Sequence, residues 1–135
     1  MSGETDLKAL LAGLQPELDL AIYVFLTVDG EYGDHAGLQP LAAFREREGM
    51  TLIVPEDKAM ARIEPGTPRF RRLTLTVHSS LEAVGLTAAV AGKLADHGIS
   101  ANVVAAYYHD HIFVGAADAD RALQLLGDSW GAGPQ

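Results

Sequence analysis

Two short stretches hold the residues best suited to chemistry. In HSSLEAVG, His78 is followed by Ser79 and Ser80, and Gly85 closes the run; in HDH, His109 and His111 flank Asp110. A His-x-His can ligate a metal, but a stable site needs three or four converging donors, so His78 would have to be the third. The simpler reading of HDH is a polar hairpin turn at a subunit contact, with no metal and no cofactor. Nucleophilic catalysis has less support still. There is no G-x-S-x-G elbow, and the order of serine, histidine and acid matches no familiar triad. The expectation is therefore a protein that is not an enzyme, with no catalytic residue assigned. Ser79 and Glu82 have the spacing of a capping box, in which hydroxyl and carboxylate each satisfy an orphan amide, and losing such a cap costs about 1 kcal/mol. Gly85 is the odd residue, because glycine inside a helix costs roughly 1 kcal/mol against alanine.

The elements around these residues follow from composition and period. The chain has 135 residues, 48% hydrophobic and 21% charged, with a formal net charge of −8. That is the balance of a folded soluble domain, or of two very small halves sharing a core. Such a charge repels phosphate backbones, and the one dense basic cluster is Arg69, Arg71 and Arg72, so nucleic acid is not an expected partner. There are no cysteines, which excludes disulfides, thiolate metal sites and a cysteine nucleophile. The start, MSGETDLKALLAGL, has acids early and an apolar face at Leu7, Leu10, Leu11 and Leu14, so it reads as an amphipathic helix over residues 4–14 and not as a signal peptide. No apolar run is long enough to span a bilayer, and a cytoplasmic protein without membrane contact is expected.

Residues 20–28, LAIYVFLTV, read as a buried strand, and Asp29-Gly30 as a turn. PLAAFRERE, 40–48, is open between helix and hairpin arm; 51–54 is a strand, 56–63 a short helix, and EPGTP, 64–68, a linker. The second half is clearer. Residues 71–77 alternate as a half-buried strand. A helix then runs to Gly98, a left-handed cap, with Val84, Leu86, Val90, Ala91 and Leu94 inward. ANVVAAYY, 101–108, and HIFVG, 111–115, pair across a tight turn at His109-Asp110, and Asp118 caps a last helix ending at Gly127. Trp130 is the one possible anchor of the tail, and Phe25, Phe44 and Phe113 are assigned to the core. Strand, helix, strand, strand, helix gives an α+β architecture of ferredoxin-like type, with two helices on one face of an antiparallel sheet.

YVFLTV (Tyr23–Val28), FRE–EG–TL–V (Phe44–Val54) and above all LTVHSSLEAVGLTAAVA, ending at Ala91, resemble the signatures of short bacterial proteins built from two ACT-like halves, of the amino-acid-binding ACT superfamily. The resemblance implies tandem βαββαβ units: an N-terminal ACT-like half with its leading helix at 1–68, a C-terminal ACT domain at 69–128 and a flexible tail at 129–135. It turns residues 42–47 and 51–55 into a hairpin around Glu48-Gly49. It also gives Gly85 a purpose. In such domains an amino acid sits where the first strand hands over to the first helix, against the second strand of a neighbouring unit. The implied ligand set is His78, Ser79, Ser80, Ala83, Val84, Gly85, Leu86, Asn102 and Val103, with a small amino-acid ligand and a homodimer as partners. Ser80 departs from the asparagine of the related phosphoglycerate dehydrogenase pattern, and one extra residue precedes Gly85. The rival readings are an interaction module with a vestigial pocket, and a metal site at His78, His109 and His111.

Overall fold

A computed structural model of the chain describes residues 9–76, 83–128 and 130. Residues 9–12 are helical. The strands are β1 (Glu17–Leu18), β2 (Tyr23–Val28), β3 (Ala42–Glu46), β4 (Gly49–Pro55), β5 (Phe70–Leu75), β6 (Asn102–Ala105) and β7 (Asp110–Gly115), with helices α1 (Ala83–Asp96) and α2 (Ala119–Gly127). All strands join one sheet in the order β3-β4-β2-β5-β7-β6, with β1 paired to β5.

That order contains a repeat. In each half the first strand lies beside the third, and the second strand lies outside. The two first strands, β2 and β5, meet at the centre, antiparallel and joined by a single residue pair, Tyr23 with Phe70. Two helices cover the second half, whereas short 3-10 segments at Tyr32–Leu38, Glu56–Lys58 and Met60–Arg62 occupy the matching stretches of the first. The expected helix at 56–63 is thus two 3-10 turns, split at Ala59, which is buried against the β2–β4 cluster.

Alternation decides the two faces. Leu73, Leu75, Ile112 and Val114 point to the helix side, where Leu86, Val90, Leu94, Ala119, Ala122 and Leu126 meet them at the four-residue helical spacing. Leu11 and Leu14 of the leading segment belong to this same cluster, so they pack over the second half and not the first. Val24, Val28, Met50, Leu52 and Val54 form the core of the first half. The opposite face of the sheet holds Tyr23, Ile53 and Phe113. α1 ends as expected: Gly98 has φ +77°, and the Ile99 amide donates to the Leu94 carbonyl at 2.9 Å.

Several expectations shift. The hairpin of the first half forms with Arg47-Glu48 as its turn, because Glu46 already pairs with Gly49. β2 starts only at Tyr23. The Asp19 carboxylate accepts the Ala21 amide at 2.9 Å, an Asx turn that holds the chain out of the ladder and leaves Leu20 89% exposed. The β6–β7 turn lies at Tyr107-Tyr108 and not at His109-Asp110. Ala105 pairs with Asp110, and the Ala106 amide donates to the His109 carbonyl at 3.0 Å, so both tyrosines sit exposed at the tip. Phe113 is in the core at 1% exposure, but Phe44, on edge strand β3, is 53% exposed and Phe25 is 36% exposed. Asp118 stands at the N-cap of α2 without a side-chain cap bond. Its backbone already lies in the αR region at the end of a 3-10 turn, where a cap normally has extended backbone. Trp130 does anchor its segment, donating from Nε1 to the Leu126 carbonyl at 3.0 Å beneath the Lys93 ammonium.

Candidate functional site

Leu75 at the end of β5, 1% exposed, and Leu86 in α1, 2% exposed, belong to the same cluster. His78, Ser79 and Ser80 lie outside the described residues. Ala83 and Val84 form the backbone of the first turn of α1, and Gly85 is half-buried within it. That turn carries amide groups with no intrahelical acceptor, together with the positive end of the helix dipole. The Leu86 side chain is part of the core, so it offers a ligand only main-chain atoms.

Asn102 and Val103 open β6, an outer strand of the sheet. Val103 is half-buried against the helix-side cluster. Asn102 is exposed, pairs with Phe113 and shares its face, away from α1; its side-chain amide donates to the Phe113 carbonyl at 3.3 Å. Along the ladder, Leu75 is level with Asp110 and Ala105, three residues from Asn102. At about 3.3 Å per residue, that puts roughly 10 Å along the strand direction, and two strand spacings across it, between Asn102 and the end of β5. Within one chain Asn102 therefore lies away from the end of β5.

The histidines of HDH lie at the near end of the ladder, where His111 pairs with Thr74 and Asp110 with Leu75. His111 Nδ1 lies 3.0 Å from Thr74 Oγ1 across the β5–β7 ladder. Burial, helped by the nearby Arg72 and His109 charges and opposed by Asp110, lowers its pKa from 6.5. The His109 and His111 rings stand 6.4 Å apart, nearly perpendicular. Among the described residues no group of three histidines and carboxylates could hold a metal ion.

A polar cluster on the open sheet face escaped sequence reasoning. The Asp19 carboxylate takes hydrogen bonds from the Tyr23 hydroxyl at 2.6 Å and the Arg72 guanidinium at 2.8 Å, and Arg71 donates to the Asp19 carbonyl at 3.0 Å. Burial and the bond to Asp19 push the Tyr23 hydroxyl up to about 12. These bonds all run within the fold, so the cluster joins elements distant in sequence. The fifty-odd residues separating Asp19 from Arg72 gave no local signal.

With this geometry in hand, comparison with known proteins is informative. The ACT domain family matches the chain twice in tandem, over residues 2–65 and again over residues 69–128. The chain belongs to the ACT-domain family. A crystal structure of a Vibrio cholerae protein of unknown function, described as a possible transport protein, is 54% identical over 93% of this chain and 97% of that one, with a TM-score of 0.84. The ligand-free regulatory subunit of aspartate kinase from Thermus thermophilus superposes with a TM-score of 0.62 at 13% identity, over 89% of this chain and 98% of that chain. A protein from Agobacterium tumefaciens does so at 0.64 with 15% identity, over 86% and 88% of the two chains. The last two share the fold alone. No curated protein matches the chain. Within the ACT-domain frame the antiparallel sheet with helices on one face is the ferredoxin-like α+β fold expected from the sequence. No helix among the described residues is long and apolar enough to cross a membrane.

Proposed function

We propose that this ACT-domain protein is a non-enzymatic regulatory sensor, which binds a free amino acid or similar small metabolite at an interface between ACT units of a homodimer. The observation that carries the reading is the free edge of β6. Its sequence, NVVA, has no charge, its outer side is unpaired among the described residues, and its first residues are Asn102 and Val103. Edge strands of this kind are ready to pair. The other edge, β3, carries Arg45 and Glu46. In an antiparallel pair related by a twofold axis only the central residue meets itself, so β3 self-pairing centred on Glu46 would set Glu46 against Glu46 and Arg45 against Arg47.

Pairing through β6 reverses direction. Centred on Val104, it would bring Asn102 of one copy opposite Ala106 of the other, level with the end of β5. There the ligand carboxylate would meet the amides of the α1 first turn, an interaction worth about 0.3–2 kcal/mol. Gly85 keeps the backbone accessible. A sensor must release its ligand, so affinity between about 1 µM and 1 mM is expected. The aspartate kinase subunit that shares the fold is named as a regulatory part, which agrees with this role.

Thermal shift and calorimetry with each of the twenty amino acids at millimolar concentration test the reading. One of them should raise Tm and bind saturably. Gly85→Ala should keep or raise Tm, since alanine favours the helix, while weakening binding. If none of the twenty stabilises the protein, the pocket is vestigial and the chain is an interaction module instead.

A further inference from the structure

The first strands of the two halves differ along the edge that each turns toward the other. β5 is paired there through most of its length. Glu17 and Leu18 of β1 sit opposite Thr74 and Leu73, the Asp19 amide donates to the Arg72 carbonyl at 2.9 Å, and Tyr23 takes Phe70. β2 has only that last pair. The Glu56 amide donates to the Ile22 carbonyl at 2.7 Å, so by alternation the backbone groups of Val24, Leu26 and Val28 face β4. Phe25 and Thr27 therefore present their amides and carbonyls to the other side. Among the described residues no backbone group meets them there.

The gap has a local cause. In the register of Tyr23 with Phe70, Pro68 would stand opposite Phe25, and proline has no N–H to donate. Just before it, Glu64-Pro65-Gly66-Thr67 closes a turn. The Thr67 amide donates to the Glu64 carbonyl at 3.0 Å, the Glu64 amide donates to the Thr67 hydroxyl oxygen at 3.0 Å, and Gly66 has φ +91°. Both faces beside the free edge are apolar. On the open face Phe25, 36% exposed, meets the Phe70 ring at 4.9 Å, with the exposed Thr27 next along the strand. On the other face Leu26 and Ile63, both half-buried, border the core of the first half. Beyond Val28 come Asp29 and Glu31, both exposed, in a chain whose net charge is −8.

We infer that this free inner edge of β2 docks an extended segment of another protein, added as a strand antiparallel to Phe25–Val28, apolar at its centre and basic at its N-terminal end. The inference does not rest on ligand binding at α1. An unpaired edge is a ready template for a strand. Every pairing in the sheet is antiparallel, and a strand added in that sense exchanges two hydrogen bonds with Phe25 and two with Thr27. Those bonds supply affinity, and alternate side chains select the partner. Residues opposite Phe25 and Thr27 lie on the open face, where an apolar or β-branched side chain meets the Phe25–Phe70 pair. The residue between them, opposite Leu26, turns to the first-half core and has to be apolar. A lysine or arginine two positions before the residue opposite Thr27 falls against Asp29. A second copy of the chain fits less well. Its own β2, paired antiparallel about Leu26, would carry Asp29 to the level of Tyr23, a place Phe70 already holds.

Titration of the full-length ¹⁵N-labelled protein with the peptide acetyl-Lys-Val-Thr-Val-Val-amide tests this. The peptide should shift the Phe25 and Thr27 amides saturably at up to ~1 mM. It should also slow their hydrogen exchange, which is fast in the free protein, whereas the Val24 and Leu26 amides, bonded to β4, exchange slowly throughout. The same peptide N-methylated at its threonine and last valine, the residues facing Thr27 and Phe25, should not bind. Glutamate in place of its lysine should weaken binding roughly threefold. Thr27→Pro removes an outward donor and no β2–β4 bond, so it should keep its fold, checked by circular dichroism, and bind roughly fivefold more weakly or worse. If that variant unfolds, Asp29→Lys, outside the ladder, takes its place and should lose the preference for lysine over glutamate. The inference fails if Phe25 and Thr27 stay unmoved, if they already exchange slowly in the free protein, or if the N-methylated peptide binds as well. It also fails if Thr27→Pro changes the oligomeric state of the peptide-free protein in sedimentation, because the edge would then belong to a second copy. None of these failures touches amino-acid binding at α1, which Gly85→Ala reads separately.

Discussion

The Arg72 guanidinium lies 2.8 Å from the Asp19 carboxylate, tying the crossing between β1 and β2 to the middle of β5. Only one residue pair joins β2 to β5 directly, so this contact, with Arg71 on the Asp19 carbonyl, reinforces the seam between the halves.

Acid should attack this seam. Partial burial alone would raise the Asp19 pKa, but hydrogen bonds from Tyr23, the Ala21 amide and Arg72, with the Arg72 charge, outweigh it and hold the carboxyl below 3.8. A folded pKa below the unfolded one gives stability that is present above pH 3.8 and lost as pH falls through the folded value. Asp19→Asn should cost about 1–2 kcal/mol at neutral pH, and its stability should fall less steeply than that of the wild type between about pH 4 and pH 2. Urea denaturation across that range checks it; parallel profiles would refute the linkage.

Alkali should reach Tyr23 last. Its pKa of about 12, raised by burial and by the bond to Asp19, implies stability that is complete below pH 10 and declines as pH rises toward 12. Ultraviolet titration of phenolate should show one late-titrating tyrosine, absent in Tyr23→Phe.

Phe113 and Phe44 should behave oppositely. Phe113 is 1% exposed and packs edge-on against Tyr23 and Phe25 at 5.8 Å, so Phe113→Ala should cost about 3–5 kcal/mol. Phe44→Ala, at a position 53% exposed, should cost about 1 kcal/mol or less. Chemical denaturation of both variants decides, and equal losses would contradict the contrast between the centre of the sheet and its edge strand.

Leu11 and Leu14 should stabilise the far half of the chain. Leu11→Ala/Leu14→Ala should cost at least about 2 kcal/mol. Hydrogen exchange should quicken in β5, β7 and α2, whose residues share their cluster, more than in β3 and β4.

The sequence by itself determined the elements governed by local period and local bonding. The four-residue spacing of Leu86, Val90 and Leu94, the cap at Gly98 and the alternation of β5 are properties of neighbouring residues, and so was the order strand, helix, strand, strand, helix. The signature running through Gly85 fixed the family for the same reason. Tertiary structure decided what depends on distant partners. AAFRE has helical propensity, and it is a strand because β4 offers a ladder. The two tyrosines, and not His109-Asp110, make the hairpin turn because the pairing of Ala105 with Asp110 sets the register. Phe25 and Phe44 look like core residues in the chain, but among the described residues one face of the sheet has no helix over it. Burial and charge at a site are sums over residues far apart in the chain, and no local period encodes them.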